Sequence, residues 1–162
     1  MSTSSRTRST SSITSPVVVA LGSNLGDRRY HLARAIDALG SIMRVVRVSS
    51  IHETAPVDAP SGSPPFLNMA VVGYTTLDAS TFLRALHAIE HRMGRIRRRV
   101  RNEPRIIDLD LILFGAYRVR SAALTIPHPR AHLRPFVLDP LAECSTPAIA
   151  FLNRAYDGAP KR

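Results

Sequence analysis

The chain has 162 residues, 44% hydrophobic and 21% charged, and a formal net charge of +10 from 22 Lys+Arg against 12 Asp+Glu. This composition excludes a disordered or fibrous chain, and the length is enough to bury one core unaided. No apolar stretch reaches the ~18–20 residues of a membrane helix, and the single cysteine, Cys144, excludes an internal disulfide and a cysteine-built zinc site.

Residues 1–15 (MSTSSRTRSTSSITS) contain no acid and no apolar periodicity. They read as a disordered tail, although the same composition suits an organellar transit peptide. One domain is expected over 16–158, with a frayed end at 159–162 and a cytoplasmic location. Pro16–Leu21 is a β-branched run and predicts a buried strand. The turn Gly22–Gly26 lacks the GK[ST] ending of a phosphate loop, so a structural strand-to-helix turn is expected there. Asp27 suits an N-cap; Leu32, Ala35, Ile36 and Leu39 follow at helical spacing, and Gly40 is a stop. Ile42–His52 predicts a second strand, 55–65 (APVDAPSGSPP) a loop, Phe66–Thr75 a third strand and Leu77–Met93 a helix. Ile106–Phe114 predicts a fourth strand, followed by a hairpin around Gly115–Val119 and a Pro-rich C-terminal extension. The order gives an α+β fold, a ferredoxin-like βαββαβ core with an antiparallel sheet and helices on one face.

The charge is localised. Residues 92–105 hold seven arginines (92, 95, 97, 98, 99, 101, 105) against one acid, Glu103; with the two ends also basic, the remainder is neutral. What needs explaining is one arginine cluster and its polyanion. Directly after it comes IIDLDLILF. Alternation puts Ile107, Leu109, Leu111 and Leu113 on one face, and Asp108 and Asp110 on the other, about 6–7 Å apart. Two ionised carboxylates in an apolar strand repel each other and are costly to desolvate. A solvated strand edge would relieve them. So would a divalent cation with hard-oxygen preference such as Mg2+, and metal plus arginines would form a polyphosphate clamp. RNA binding by the arginine run on a ferredoxin-like sheet is the rival. It fits less well, because aromatics are 6% of the chain and the fourth strand carries acids where bases would stack.

Six segments together resemble the 6-hydroxymethyl-7,8-dihydropterin pyrophosphokinase family: VVVALGSNLGDR (17–28), SSIHETAPV (49–57), FLNMAV (66–71), IEHRMGRIR (89–97), PRIIDLDLILFG (104–115) and IPHPRAHLRPFVLDPL (126–141). The resemblance implies transfer of the β,γ-diphosphate of ATP to a pterin alcohol in folate biosynthesis. It implies two Mg2+ ions on Asp108 and Asp110, and phosphate contacts from Arg95, Arg97, Arg105, His128 and Arg134. Phe66 and Phe136 would sandwich the pterin, with Asn68, Thr54, Pro56 and Val57 at its edge. Loops 55–65 and 95–105 would close as lids. Two aromatic faces and an amide suit a flat polar heterocycle. No membrane or nucleic-acid partner is expected, and a monomer is. A catalytically weak paralogue that only binds pterin or nucleotide is the second reading. His87 and His91 are four apart, but HAIEH misplaces the glutamate of HExxH, so surface histidines are expected. Cys144 has no activating neighbour and reads as an inert thiol.

Overall fold

The computed structural model describes residues 14–57, 60–96 and 103–156. Most of the expected N-terminal tail, Arg97, the arginines to 101 and the C-terminal end lie outside the described residues. The elements are β1 (Ser15–Ser23), α1 (Arg28–Leu39), β2 (Arg44–Val48), β3 (His52–Thr54), β4 (Phe66–Thr75), α2 (Ala79–Arg92), β5 (Asp108–Phe114), β6 (Val119–Arg120), β7 (Thr125–Ile126), α3 (Pro135–Cys144) and α4 (Thr146–Tyr156). The main sheet runs β2-β4-β1-β5, with every neighbouring pair antiparallel and β3 paired to β4 beyond β2. This is the ferredoxin-like order.

Central β1 is buried on both faces, which explains its unbroken PVVVAL run. Val17, Val19 and Leu21 face α1 and α2, where they meet Leu32, Leu39, Phe82, Leu86 and Ile89. Each such side chain contributes about 1.5–3 kcal/mol by leaving water. The helices start where their caps are. Asp27 accepts from Tyr30 N–H at 3.0 Å, and Asp78 accepts from Thr81 N–H at 2.9 Å. Gly26 has φ +67°, which lets the turn enter α1 without a Cβ penalty.

Four expectations are corrected. The strand expected at 42–52 is two, β2 and β3. At the break, Ser49 N–H donates to Ala70 O at 2.9 Å while Ser49 Oγ accepts from Ala70 N–H at 2.9 Å. A side chain there does the work of a ladder carbonyl, and the strand bends. Secondly, the helices do not share one face. α3 and α4 cover the other side of the sheet, packing Val137, Leu141 and Leu152 on Val18, Ala70, Ile112 and Leu113. The Pro-rich extension is thus largely helical, with Pro135 opening α3. Thirdly, the late hairpin pairs Val119 with Ile126 and Arg120 with Thr125, downstream of Gly115–Val119. Finally, the β1–β5 register slips between Val18 and Val19, which pair with Leu113 and Leu111. Ile112 is the extra residue of a bulge. Beyond it the alternation inverts, so Leu113 joins the α3 side, and Phe114 takes the place expected for it.

Candidate active site

The α3 side of the sheet carries a polar row. Register aligns His52 with Asn68, Asn68 with Gly22, and Gly22 with Asp108; the next row is Ala70, Ala20 and Asp110. Cross-strand partners share a face, so the amide and both carboxylates look the same way over two small residues. A Cβ on Gly22 would lie 3.4 Å from Asn68 Oδ1 and 3.6 Å from the Phe66 ring. Gly22 therefore keeps open the floor of a cavity of about 450 Å³.

The arginines close one end of this cavity. Arg95 Nη1 donates to Asp108 Oδ1 at 2.6 Å, and Arg105 Nη1 donates to Asp108 Oδ2 at 2.9 Å. Arg134 Nη1 stands 3.8 Å from Asp110 Oδ2. Arg95 also pairs with Glu90, which is 2% exposed and accepts from Leu109 N–H at 2.7 Å. Burial works against the charged Arg95, yet Asp108 and Glu90 outweigh it and hold its pKa above the ordinary value. Burial, and then the charge of Asp108, pushes Asp110 up to about 7. Arg105 Nε is buried with no hydrogen-bond partner among the described residues. That donor, beside two carboxylates, suits an oxyanion delivered with a cation.

His128 enters through the bulge. Its N–H donates to Ile112 O at 2.9 Å, and its Nδ1 accepts from Arg130 N–H at 3.2 Å. The ring is thus fixed with Nδ1 as acceptor, leaving Nε2–H as the donor of the neutral form. Burial, then the charges of Arg134 and Arg130, lowers its pKa to about 4. Tyr156 secures this segment by donating to Pro127 O at 2.5 Å and stacking on His132 at 4.0 Å.

The other end is aromatic and amide. Phe66 and Phe136 both line the cavity, each with a guanidinium over its ring: Arg105 at 5.7 Å and Arg134 at 5.4 Å. Asn68 is 5% exposed and donates through Nδ2 to Thr54 Oγ1 at 2.7 Å. The turn at Gly22–Gly26 is structural, as expected. Asn24 donates to Pro64 O at 3.2 Å and accepts from Arg105 N–H at 2.8 Å, tying the roots of both candidate lids together.

With the geometry in place, comparison with known proteins decides the family. Residues 18–146 match the family model described as 7,8-dihydro-6-hydroxymethylpterin-pyrophosphokinase (HPPK). The chain belongs to this family. It is 44% identical over 127 residues to a 2-amino-4-hydroxy-6-hydroxymethyldihydropteridine pyrophosphokinase of Bacillus subtilis, covering 77% of this chain and 75% of that one. It is 43% identical over 134 residues to the mitochondrial folate synthesis bifunctional protein of Pisum sativum, covering 82% of this chain and 26% of the relative. The chain thus spans about a quarter of that bifunctional relative's length. A crystal structure of Plasmodium falciparum HPPK-DHPS with pteroate shares the fold, with TM-score 0.61 and 15% identity over 80% of this chain and 39% of that one.

In this HPPK chain the cavity gathers Thr54, Val57, Phe66, Asn68, Arg95, Arg105, Asp108, Asp110, His128, Arg134 and Phe136. Pro56 lies between the lining residues Ala55 and Val57 without lining the cavity itself, and Arg97 falls outside the described residues. Glu103, the one acid of the arginine run, is likewise not a lining residue. Arg130, which lines the cavity, and Glu90, which holds Arg95, were not among the expected site residues. For Arg130 the signal was available, since it follows PHP directly. Glu90 reads as one more acid on an amphipathic helix. His87 and His91 are exposed, as expected, and Cys144 is buried, with its thiol pKa raised by burial.

Proposed function

We propose that this chain transfers the β,γ-diphosphate of ATP to the hydroxymethyl oxygen of 6-hydroxymethyl-7,8-dihydropterin. The products are AMP and the pterin diphosphate, a step of folate biosynthesis. The supporting observation is a single cavity that joins a carboxylate pair and four arginines to an aromatic and amide end. Phosphoryl transfer asks a protein mainly to align the nucleophile and to neutralise charge. Arg95, Arg105 and Arg134 would grip phosphate oxygens, using planar forks suited to two contacts at once. His128 would donate through Nε2–H as a neutral ring. Phe66 and Phe136 would hold the pterin faces while Asn68 and Thr54 fix its edge, pointing the hydroxymethyl group at the β-phosphorus.

Asp108 and Asp110 fit a hard divalent cation. Their donors are oxygens on one face, Ala20 and Gly22 leave room beside them, and the raised pKa of Asp110 is relieved by positive charge. We place two Mg2+ ions there with ATP; such ions neutralise phosphate charge and lower the pKa of a bound hydroxyl. ATP and the pterin are the proposed partners of a monomer. No helix of the described residues is long and apolar enough to cross a membrane, and we propose a cytoplasmic location.

The RNA-binding reading is not favoured. An RNA-binding module of this topology uses the open sheet face. Here α3 and α4 cover much of that face, and Asp108 and Asp110 stand on the part left open. The test is AMP release from Mg-ATP and the pterin. Loss of that release in Asp108→Ala and Asp110→Ala is expected, and an unchanged rate in either would overturn the reading.

A further inference from the structure

Away from the carboxylates, one group of side chains joins elements 91–93 residues apart. Glu143 lies near the C-terminal end of α3. Its Oε2 accepts from Ser50 N–H at 2.7 Å, and its Oε1 accepts from Ser50 Oγ at 2.7 Å and meets His52 Nε2 at 2.5 Å. Serine, histidine and glutamate suggest a nucleophile with its base. The geometry excludes that: Ser50 Oγ also meets His52 at Nε2, 3.4 Å away, so acid and serine share one ring nitrogen. A relay needs both nitrogens. The cluster is a fastening.

What it fastens is informative. β3 is a three-residue edge strand whose ladder partner is β4, pairing His52 with Asn68 and Thr54 with Phe66. On one side Glu53 pairs with Arg28 at 3.0 Å. On the α3 side, among the described residues, Glu143 makes the connection. Thr54 at the end of β3, and Ala55 and Val57 just after it, line the cavity; so does Phe136, at the other end of α3.

We propose that Glu143 is a positioning residue for the pterin: by clasping β3 to α3 it fixes the gap between the Thr54–Val57 wall and Phe136. This rests on the pterin reading of the cavity proposed above. None of its residues lines the cavity, and the wall it steadies, Thr54 to Val57, carries no arginine, so the effect expected is on the pterin. Glu143 is 40% exposed on its side chain, so truncation leaves the cores intact.

The test is steady-state kinetics with both substrates varied. Glu143→Ala removes all three contacts to a charged acceptor and raises KM for the pterin about tenfold, while kcat and KM for ATP stay within about twofold. Glu143→Gln keeps one acceptor, for Ser50 N–H, and offers Ser50 Oγ an amide N–H instead, so it brings the pterin KM back to within about threefold of the starting protein. A rise of both KM values together, or no rise in the pterin KM, overturns the proposal. Should Glu143→Ala fail to fold, Ser50→Ala decides: it removes the Oγ contacts to Glu143 and His52 and keeps the backbone N–H bond, so a pterin KM raised about threefold supports the clasp and an unchanged one refutes it. Asn68→Ala, run alongside, separates the two readings. If it leaves the pterin KM unchanged, the pterin pocket itself is wrongly placed; if it raises that KM while the Glu143 and Ser50 variants do not, only the clasp fails.

Discussion

Replacing Asp110 with asparagine should make the protein more stable and inactive at once. Asp110 is pushed from 3.8 up to about 7, first by burial and then by Asp108. The folded chain therefore binds this proton more tightly than the unfolded one, and stability is lost as pH rises from about 4 through 7. The full displacement sets a ceiling of about 4 kcal/mol at 1.36 kcal/mol per pH unit. Asp110 is 35% exposed on its side chain and Arg134 stands 3.8 Å away, so solvent and that partner screen much of it. About 1–2 kcal/mol at pH 8 is the reasonable remainder after that discount. For a domain of this size that corresponds to a Tm about 3–8 °C higher for Asp110→Asn. The assay is thermal unfolding in EDTA at pH 8 and again at pH 4, where both side chains are neutral and the gain should shrink towards zero. Added Mg2+ should then reverse the order, stabilising the parent and not the variant. An Asp110→Asn protein less stable than its parent in EDTA at pH 8 would refute the electrostatic account of the pair.

Other outcomes follow from the same contacts. Arg95→Lys keeps one nitrogen to join Glu90 to Asp108 but loses the planar fork proposed to grip phosphate oxygens, and kcat/KM should fall about 10–100-fold with the fold intact by circular dichroism. Glu90→Gln keeps an acceptor for Leu109 N–H but removes the charge beside Arg95; stability should drop by about 2 kcal/mol in urea unfolding, with an unchanged midpoint arguing against the pair. His128 has a folded pKa of about 4 against 6.5, so the unfolded chain takes the proton first and stability falls as pH drops from 6.5 to 4; His128→Asn should flatten that slope. Glu143 is lowered from 4.5 to about 2 by its bond to Ser50 N–H, so its contribution is present above pH 4.5 and lost as pH falls to 2; Glu143→Ala should lack this acid limb.

Much of this was legible in the chain because local and global signals agree. The β-branched run of β1, the aspartate caps of both long helices and the placing of Asp108 and Asp110 on one face each follow from local pattern, and the sheet and helices honour all of them. The features that were not legible depend on distant partners. Nothing in IIDLDLILF marks Ile112 as a bulge; its carbonyl is turned towards His128, sixteen residues on. The break at Ser49 needs the Ala70 backbone opposite. The placement of α3 and α4 on the second face follows from which side of the sheet lacked a cover, and that is a tertiary fact. Glu90 was hidden for a related reason, since a buried acid and a solvated acid look alike until the guanidinium beside it is known.

The arrangement around Asp108 has a consequence for how ligands arrive. Both of its oxygens are held by guanidinium groups, one from Arg95 and one from Arg105. A cation drawn to either oxygen competes with an arginine for its negative charge. A phosphate that draws an arginine towards itself weakens that arginine's hold on the carboxylate. Each ligand therefore removes the obstacle met by the other, and their affinities are coupled. Shortening one arginine should move the two affinities in opposite directions. Arg105→Gln should bind Mg2+ alone about 5–10-fold more tightly than the parent, and α,β-methylene-ATP with Mg2+ at least about tenfold more weakly, in calorimetric titrations. A variant that binds both more weakly would mean that Arg105 only shapes the pocket and does not compete for Asp108.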